Sequence, residues 1–132
     1  MNKDDIKSQY DALCADLNLT FTDVIVSGGA ACVLFGIKQE ANDLDVIVNK
    51  STYNSLVSSG KYIIVSKNGI QFIKYNDVIE IFAEFNNINN SIVLINDICC
   101  YSPYSIYKIK QKLNRAKDQE DICLLSKFYS GI

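Results

Sequence analysis

The strongest constraint on the fold is the stretch of residues 24–48, in which two apolar runs are interrupted by glycines and aspartates. Gly28 and Gly29 directly follow the first run, whereas Asp43 and Asp45 stand within the second. The interiors of β-strands disfavour both Gly and Asp, and departures from local preference concentrate at functional sites. The stretch therefore predicts two strands that carry a functional site where polar residues interrupt them.

Length and composition are those of one ordinary globular domain, which we expect to span residues 1–132. Of the 132 residues, 48% are hydrophobic and 21% are charged, and the formal net charge is −2. Such a chain has no overall basic field that would hold nucleic acid by its phosphates. No apolar stretch approaches the roughly 20 residues that span a bilayer, and the charged first residues lack a signal-peptide core. These features predict a cytoplasmic protein that does not contact a membrane.

The sequence contains no histidine, and this absence restricts the available chemistry. It excludes Ser-His and Cys-His catalysis. The five cysteines are not spaced like metal ligands, so we expect no zinc site. We expect these cysteines to be free thiols, most of them small core residues in a reducing compartment. Acid–base chemistry therefore falls to carboxylates, lysines or metal-bound water.

Hydrophobic periodicity and turn residues predict alternating helices and strands. Helices are expected at residues 4–17, from Gly28 to about Gly36, and from a cap at Ser51 to about Ser59. Strands are expected at residues 21–27, 43–49, 61–66, 70–75, 78–85 and 92–95. The turns and the loop between the later strands are expected at Asn68-Gly69, Asn76-Asp77 and residues 86–90.

The last third of the chain is expected to be helical. Ser102 and Pro103 have the form of an N-cap followed by a proline at the first helical position. A break is expected near Lys117 and Asp118, where Asp118 caps a last helix. Together with the strands, these helices predict a single α+β domain with a mixed sheet.

Asp43 and Asp45 lie two residues apart on a predicted strand, so both side chains point to the same face, roughly 6.5–7 Å apart at the Cα atoms. Neighbouring carboxylates repel each other unless a cation compensates them. Two divalent ions are a common solution in enzymes that transfer phosphoryl groups. The alternative is structural, with Asp43 in a turn that opens the strand and Asp45 paired with a lysine.

Ser27, Gly28 and Gly29 connect the first strand to a helix. Free backbone N–H groups at a helix start attract anions, and without Cβ atoms a polyphosphate approaches closely. The alternative is a plain strand-to-helix turn that uses glycine for its backbone angles. A phosphate cradle followed by an acid pair on the next strand explains both features at once, and we therefore favour a phosphate-binding site.

The two glycines, a short helix and the sequence NDLDV at residues 42–46 resemble the signature of the DNA polymerase beta-like nucleotidyltransferase superfamily. The resemblance covers roughly residues 24–125 and implies that family's fold, a mixed sheet flanked by helices. It further implies a nucleoside triphosphate as substrate and two Mg²⁺ ions bound by Asp43, Asp45 and a third carboxylate. Glu80, in the sequence IEIF, is the best match to this third acid, and Glu84 on the same strand face is the alternative.

Residues 108–125 resemble the C-terminal pattern of many small members, in which a lysine-bearing helix leads to Arg-x-Lys-Asp and a further Asp. The matching residues are Lys110, Arg115, Lys117, Asp118 and Asp121. The resemblance implies that Lys110 and Lys117 neutralise triphosphate oxygens, provided that one continuous helix places them on a shared face. Asp118 and Asp121 are expected to cap the last helix and pair with Arg115. A solvated helix face is the alternative.

Two functions follow from these motifs. In the first, the chain transfers a nucleoside monophosphate from a nucleoside triphosphate to a hydroxyl group of a protein, a tRNA or a small molecule. The small size favours a partner protein that completes the site, as in the toxin–antitoxin members of the family. In the second, the chain is a catalytically weak antitoxin or regulatory module that acts through a partner. Gly29, where many active members have Ser, and the lack of a separate acceptor domain favour the second function. The complete acid set, with Glu80 where Asp is more usual, favours the first, which we prefer.

Overall fold

A computed structural model gives the fold of residues 1–84 and 91–130. In these ranges one sheet contains the strands β1 (Ile25–Ser27), β2 (Leu44–Val48), β3 (Ile63–Lys67), β4 (Ile70–Lys74), β5 (Ile79–Ala83), β6 (Ile92–Ile95) and β7 (Ile98–Tyr101). The α-helices in the same ranges are α1 (Lys3–Leu17), α2 (Gly28–Leu34), α3 (Lys50–Ser58), α4 (Pro103–Leu113) and α5 (Gln119–Ser130).

The sheet is mixed, and its strand order is β3-β4-β5-β2-β1-β7-β6. β2 runs parallel to β5 and β1 runs parallel to β7, whereas the other neighbours are antiparallel. Every residue of the central strand β2 except Asp45 is buried. This burial agrees with its continuous apolar run, which is typical of a strand covered on both faces. The prediction of an α+β fold with a mixed sheet is confirmed.

Helix α2 lies between the sheet and other helices. It contacts β1 and β2 as well as α1 and α4, and its residues 30–34 are all buried. The buried face of α1, a helix that contacts α2, is an apolar stripe of Ile6, Tyr10 and Leu13, each at most 1% exposed. Because α2 is enclosed in this way, the turn at its first residues has a fixed position relative to β2.

Two local predictions were wrong because side chains cap the backbone at other residues. The strand expected at residues 21–27 begins only at Ile25, and Phe21–Asp23 form a 3-10 turn. The carboxylate of Asp23 stabilises this turn by accepting hydrogen bonds from the Thr20 backbone N–H at 2.8 Å and hydroxyl at 2.9 Å. The cap of α3 is Asn49 rather than Ser51, since its side chain accepts a hydrogen bond from the Thr52 N–H at 2.7 Å.

Strand β7 was not predicted from the sequence, although the neighbouring strand at residues 92–95 was. Asn96 and Asp97 join these two strands in a two-residue turn with φ values of 49° and 62°. This is the geometry that favours Asn and Asp in tight hairpins. The turn predicted at Asn68-Gly69 is confirmed in the same way, with φ values of 53° and 78°.

The cap predicted for α4 is confirmed, whereas the carboxylate of Asp118, predicted to cap the last helix, accepts from the side chains of Lys110 and Arg115. The side chain of Ser102 accepts a hydrogen bond from the Ser105 N–H, and Pro103 is the first residue of α4. The predicted helix break is confirmed, because α4 ends at Leu113 and residues 116–118 form a 3-10 turn before α5. All five cysteines are free. In the part of the chain that the structure describes, no helix has the length and apolar character required to cross a bilayer. The loop expected at residues 86–90 lies outside this part.

Candidate functional site

The register of the sheet brings three predicted site residues into one row. Ser27 on β1 is the cross-strand partner of Asp45 on β2, and Asp45 is in turn the partner of Glu80 on β5. Cross-strand partners lie about 4.5–5.5 Å apart at their Cβ atoms. The end of β1, and therefore the glycine turn that follows it, lies beside a pair of carboxylates.

Asp45 is an acid in an unfavourable environment. Burial raises its pKa to about 7, and the negative charge of Glu80, a hydrogen bond with the Glu80 carboxyl and the charge of Asp43 act in the same direction. Lys110 opposes these effects only in part. The Oδ1 atom of Asp45 is buried and has no hydrogen-bond partner among the described residues. Buried polar atoms are almost always paired, so this carboxylate oxygen is a candidate ligand for a water or a cation.

The other two predicted acids differ in their relation to Asp45. Asp43 is exposed and lies just before the first residue of β2. Glu84 is exposed just after β5, where its N–H donates to the carbonyl of Val48 at 2.8 Å. It lies about 13 Å from Glu80 along the strand, at roughly 3.3 Å per residue. The structure therefore places Glu80, and not Glu84, beside Asp45.

The glycine turn packs directly on this acid pair. Gly28 has a φ of +64°, and a Cβ atom added to it would lie 3.0 Å from Oδ2 of Asp45. A Cβ added to Gly29 would lie 3.6 Å from Nζ of Lys38 and 3.9 Å from Oδ2 of Asp121. The turn thus lies against the Asp45 carboxylate at Gly28 and against the Lys38–Asp121 ion pair at Gly29.

Lys38 was not identified from the sequence. It lies in the loop between the glycines and the aspartates, and its Nζ forms an ion pair with Oδ1 of Asp121 at 3.1 Å. Its side chain is 26% exposed, and it also lines an open cleft of about 480 Å³ beside the start of α1. The only signal in the sequence was a lysine between the two motifs, and loop residues give no periodicity from which to place a side chain.

The predicted lysines of the C-terminal segment occupy different positions. Lys110 is buried, and its Nζ contacts Oδ1 of Asp118 at 3.1 Å and Oδ2 of Asp121 at 3.2 Å. Asp118 also accepts a hydrogen bond from Nε of Arg115 at 2.6 Å, as predicted. Asp121 forms ion pairs with Lys38 and Lys110 instead of with Arg115. Lys117 is exposed on the 3-10 turn, and the continuous helix that would align it with Lys110 is absent.

A chain of ion pairs therefore connects the C-terminal segment to the glycine turn. It runs through Lys38, Asp121, Lys110, Asp118 and Arg115 in that order. Burial lowers the pKa of the Lys110 ammonium group, but the charges of Asp121 and Asp118 outweigh burial and leave the pKa above its usual value. Lys110 is thus held in its charged form, and the Asp121 side chain connects it to Gly29.

The acid pair fits a hard divalent cation in its donor chemistry. Carboxylate oxygens are the ligands that Mg²⁺ prefers, and Asp45 supplies a buried oxygen without a partner. Among the described residues, however, no group of three or more acidic, histidine or cysteine side chains is arranged to hold a metal ion. Asp45 and Glu80 are adjacent, while the exposed Asp43 is the third acid nearby.

Comparison with family models, with curated proteins and with solved structures found no match for this chain. The resemblance to the nucleotidyltransferase superfamily therefore rests on the sequence motifs alone.

We predict that Gly28→Ala destabilises the protein and that Gly29→Ala does not. The alanine at position 28 would adopt a left-handed backbone and press against Oδ2 of Asp45, which we expect to cost about 1–3 kcal/mol. The contact at position 29 is an ordinary van der Waals distance, so we expect a change within about 0.5 kcal/mol. Urea denaturation of both variants measures the difference. Equal stability of the two variants would show that the turn does not press on Asp45.

Proposed function

We propose that this chain is a metal-dependent nucleotidyltransferase that transfers a nucleoside monophosphate from a nucleoside triphosphate to an acceptor hydroxyl group. One observation carries the proposal: the buried, unpaired oxygen of Asp45 lies beside Glu80 and directly against the Gly28 turn. A turn without Cβ atoms next to adjacent carboxylates suits a phosphate chain that arrives together with a cation. The sheet order and the enclosed α2 fix this arrangement in place.

In this proposal Asp45 and Glu80, with Asp43 nearby, hold Mg²⁺. The ion would neutralise charge on the phosphates and lower the pKa of an acceptor hydroxyl group. Binding would also remove the cost of burying two like charges on neighbouring strands. The raised pKa of Asp45 shows the cost of this burial and of the neighbouring charges, and a bound cation would offset both.

The remaining steps belong to side chains and backbone of this chain. Gly28 and Gly29 let the phosphates approach the backbone N–H groups, and Lys38 faces them from the other side. The acceptor oxygen forms a bond to the α-phosphorus, the bond to the β-phosphate oxygen breaks, and pyrophosphate leaves. The proton of the acceptor passes to a carboxylate of the pair. Lys110 contributes indirectly, because it holds Asp121 beside the turn.

The acceptor in this proposal is a hydroxyl group of a protein, a tRNA or a small molecule. The net charge of −2 disfavours a nucleic acid. A protein partner that completes the site, as in a toxin–antitoxin pair, fits the size of the domain. We place the activity in the cytoplasm.

The second candidate is a catalytically weak antitoxin or regulatory module that binds nucleotide or a partner. Two observations favour it over the enzyme. Lys110, which the family pattern assigns to phosphate binding, is already held by two carboxylates. Gly29 provides no hydroxyl group to the turn.

Calorimetric titration of the purified chain with ATP, GTP, CTP and UTP, with and without Mg²⁺, tests both candidates. We expect at least one nucleotide to bind only with Mg²⁺, because the carboxylate pair repels a triphosphate without it. Incubation of cell lysate with α-labelled nucleotide then shows whether label is transferred to an acceptor. Binding without transfer favours the module. The absence of Mg²⁺-dependent binding for all four nucleotides contradicts the enzyme.

A further inference from the structure

Strand β6 forms one edge of the sheet and has no charged residue. Among the described residues it pairs only with β7, and all four of its residues, Ile92–Ile95, are apolar. Ile92 is 51% exposed and Leu94 is 56% exposed. An apolar edge strand is a ready partner for another strand unless charges or a bulge protect it.

The backbone of β6 presents its free hydrogen-bonding groups at defined residues. The Ser102 N–H donates to the Ser91 carbonyl at 2.8 Å, which marks this pair as one that bonds across the hairpin. Because bonded and non-bonded pairs alternate in an antiparallel ladder, Val93 and Ile95 also bond to β7. The N–H and C=O groups of Ile92 and Leu94 therefore point away from the sheet.

The opposite edge of the sheet is protected. Strand β3 ends in Lys67, and Lys61 stands just before its start. Lysines at an edge strand oppose pairing with another strand, since pairing would bury or crowd their charges. Within residues 1–84 and 91–130, the two edges are therefore unequal, and β6 is the edge without charged residues to oppose association.

We propose that β6 pairs with β6 of a second copy in an antiparallel, two-fold arrangement. With Val93 opposite Val93 of the second copy, the N–H and C=O groups of Ile92 bond to those of Leu94 in the other chain, and the reverse pair follows by symmetry. This register satisfies every outward group of the two residues. It also brings the exposed Ile92 and Leu94 side chains of the two copies together on one face.

The self-complementary sequence is the reason to expect a second copy. In the register centred on Val93, apolar residues meet apolar residues at positions 92–94, and Ile95 lies opposite Ser91 of the second copy. The Asp97 residues of the two copies lie at opposite ends of the paired strands, so no like charges meet. Partners with charged side chains would lose their hydration beside this strand without gaining an ion pair.

Sedimentation analysis of the full chain tests the proposal. We expect a monomer–dimer equilibrium between about 10 and 500 µM chain, because so short a pairing buries less than the roughly 1,200–2,000 Å² of standard interfaces. Leu94→Lys should shift the dissociation constant at least tenfold towards monomer. Ile63→Lys on β3, an equally apolar site that is 67% exposed, is the matched control and should leave the equilibrium unchanged. Circular dichroism checks that both variants fold.

Disulfide trapping tests the register. Val93→Cys places two thiols opposite each other at a non-bonded pair, where Cα atoms lie about 4.5 Å apart and a disulfide forms across strands. We expect a disulfide-linked dimer well above the background of the wild type and of an Ile63→Cys control. A monomer at every concentration would overturn the proposal, and any partner of β6 would then be a different protein. Loss of the dimer in Ile63→Lys would replace the two-fold pairing with head-to-tail pairing of β3 and β6, and would overturn it as well.

Discussion

Replacing Asp45 with asparagine is expected to reduce nucleotidyl transfer at least about 1,000-fold and, without Mg²⁺, to raise the melting temperature. The variant keeps the shape of the side chain but removes one of two charges held side by side on β2 and β5. Relief of that repulsion should stabilise the apo protein by about 1 kcal/mol, or roughly 3–6 °C for a chain of this size. A structural Asp45 paired with a lysine would give the opposite result, with lower stability and unchanged nucleotide binding.

The pH dependence of stability gives a second readout of the same variant. The pKa of Asp45 rises from 3.8 to about 7 on folding, so the folded state binds an additional proton in this range. The contribution of Asp45 to the stability of the folded protein is therefore fully present below about pH 4, and it is lost as the pH rises through about 7. In EDTA, the melting temperature of the wild type should fall across this window more than that of Asp45→Asn. Asp43→Asn, at an exposed position, is the comparison and should keep most of this slope, because the charge of Asp43 raises the Asp45 pKa less than burial and Glu80 do.

Lys110→Met is expected to be the most destabilising of the substitutions considered, with a loss of about 3–5 kcal/mol in the free energy of unfolding. The methionine fills a similar volume, but it leaves Asp118 and Asp121 buried next to each other without their shared cation. Lys38 and Arg115 compensate only one carboxylate each. Urea denaturation of the apo protein measures the loss.

Lys117→Met is the matched control for this substitution. It makes the same chemical change seven residues along the chain, at an exposed position, so we expect a change within about 0.5 kcal/mol. Combining Lys110→Met with Asp121→Asn should recover part of the lost stability, because it removes the repulsion between Asp118 and Asp121, which no longer share a cation. If Lys110→Met proved as stable as Lys117→Met, the ion pairs would contribute nothing to folding, and Lys110 would be free to bind a ligand.

The sequence predicted the parts of the site that lie close together along the chain. Gly28 follows a short apolar run, and Asp45 interrupts a longer one, so both stand out against the preferences of a strand. Glu80 was predicted from the family resemblance, as the acid that interrupts a third apolar run. The sequence did not predict which side chains each of these residues contacts. That Lys110 would be buried between two acids, and that Lys38 would lie beside Gly29, depends on how loops and helices pack.

The missed strand and the misplaced caps have different causes. Strand β7 is short, contains two cysteines and joins the sheet beside β1, which precedes it by more than seventy residues. The parallel pairing over such a separation has no local signal, whereas the Asn96-Asp97 turn to β6 was a local hairpin signal that the prediction did not use. The caps at Asp23 and Asn49 are local, but several neighbouring polar residues compete for each position, and only the backbone path decides among them.

The arrangement of β1, α2 and β2 bears on the order in which the protein folds. These three elements are consecutive along the chain, and β1 pairs with β2 in an antiparallel ladder. Contacts between nearby residues close small loops and cost little entropy, so this segment is favoured to form early. Glu80 reaches Asp45 only when β5 joins in parallel, through a much longer loop. The repulsion between the two acids therefore arises late on the folding pathway, and it should accelerate unfolding more than it slows folding.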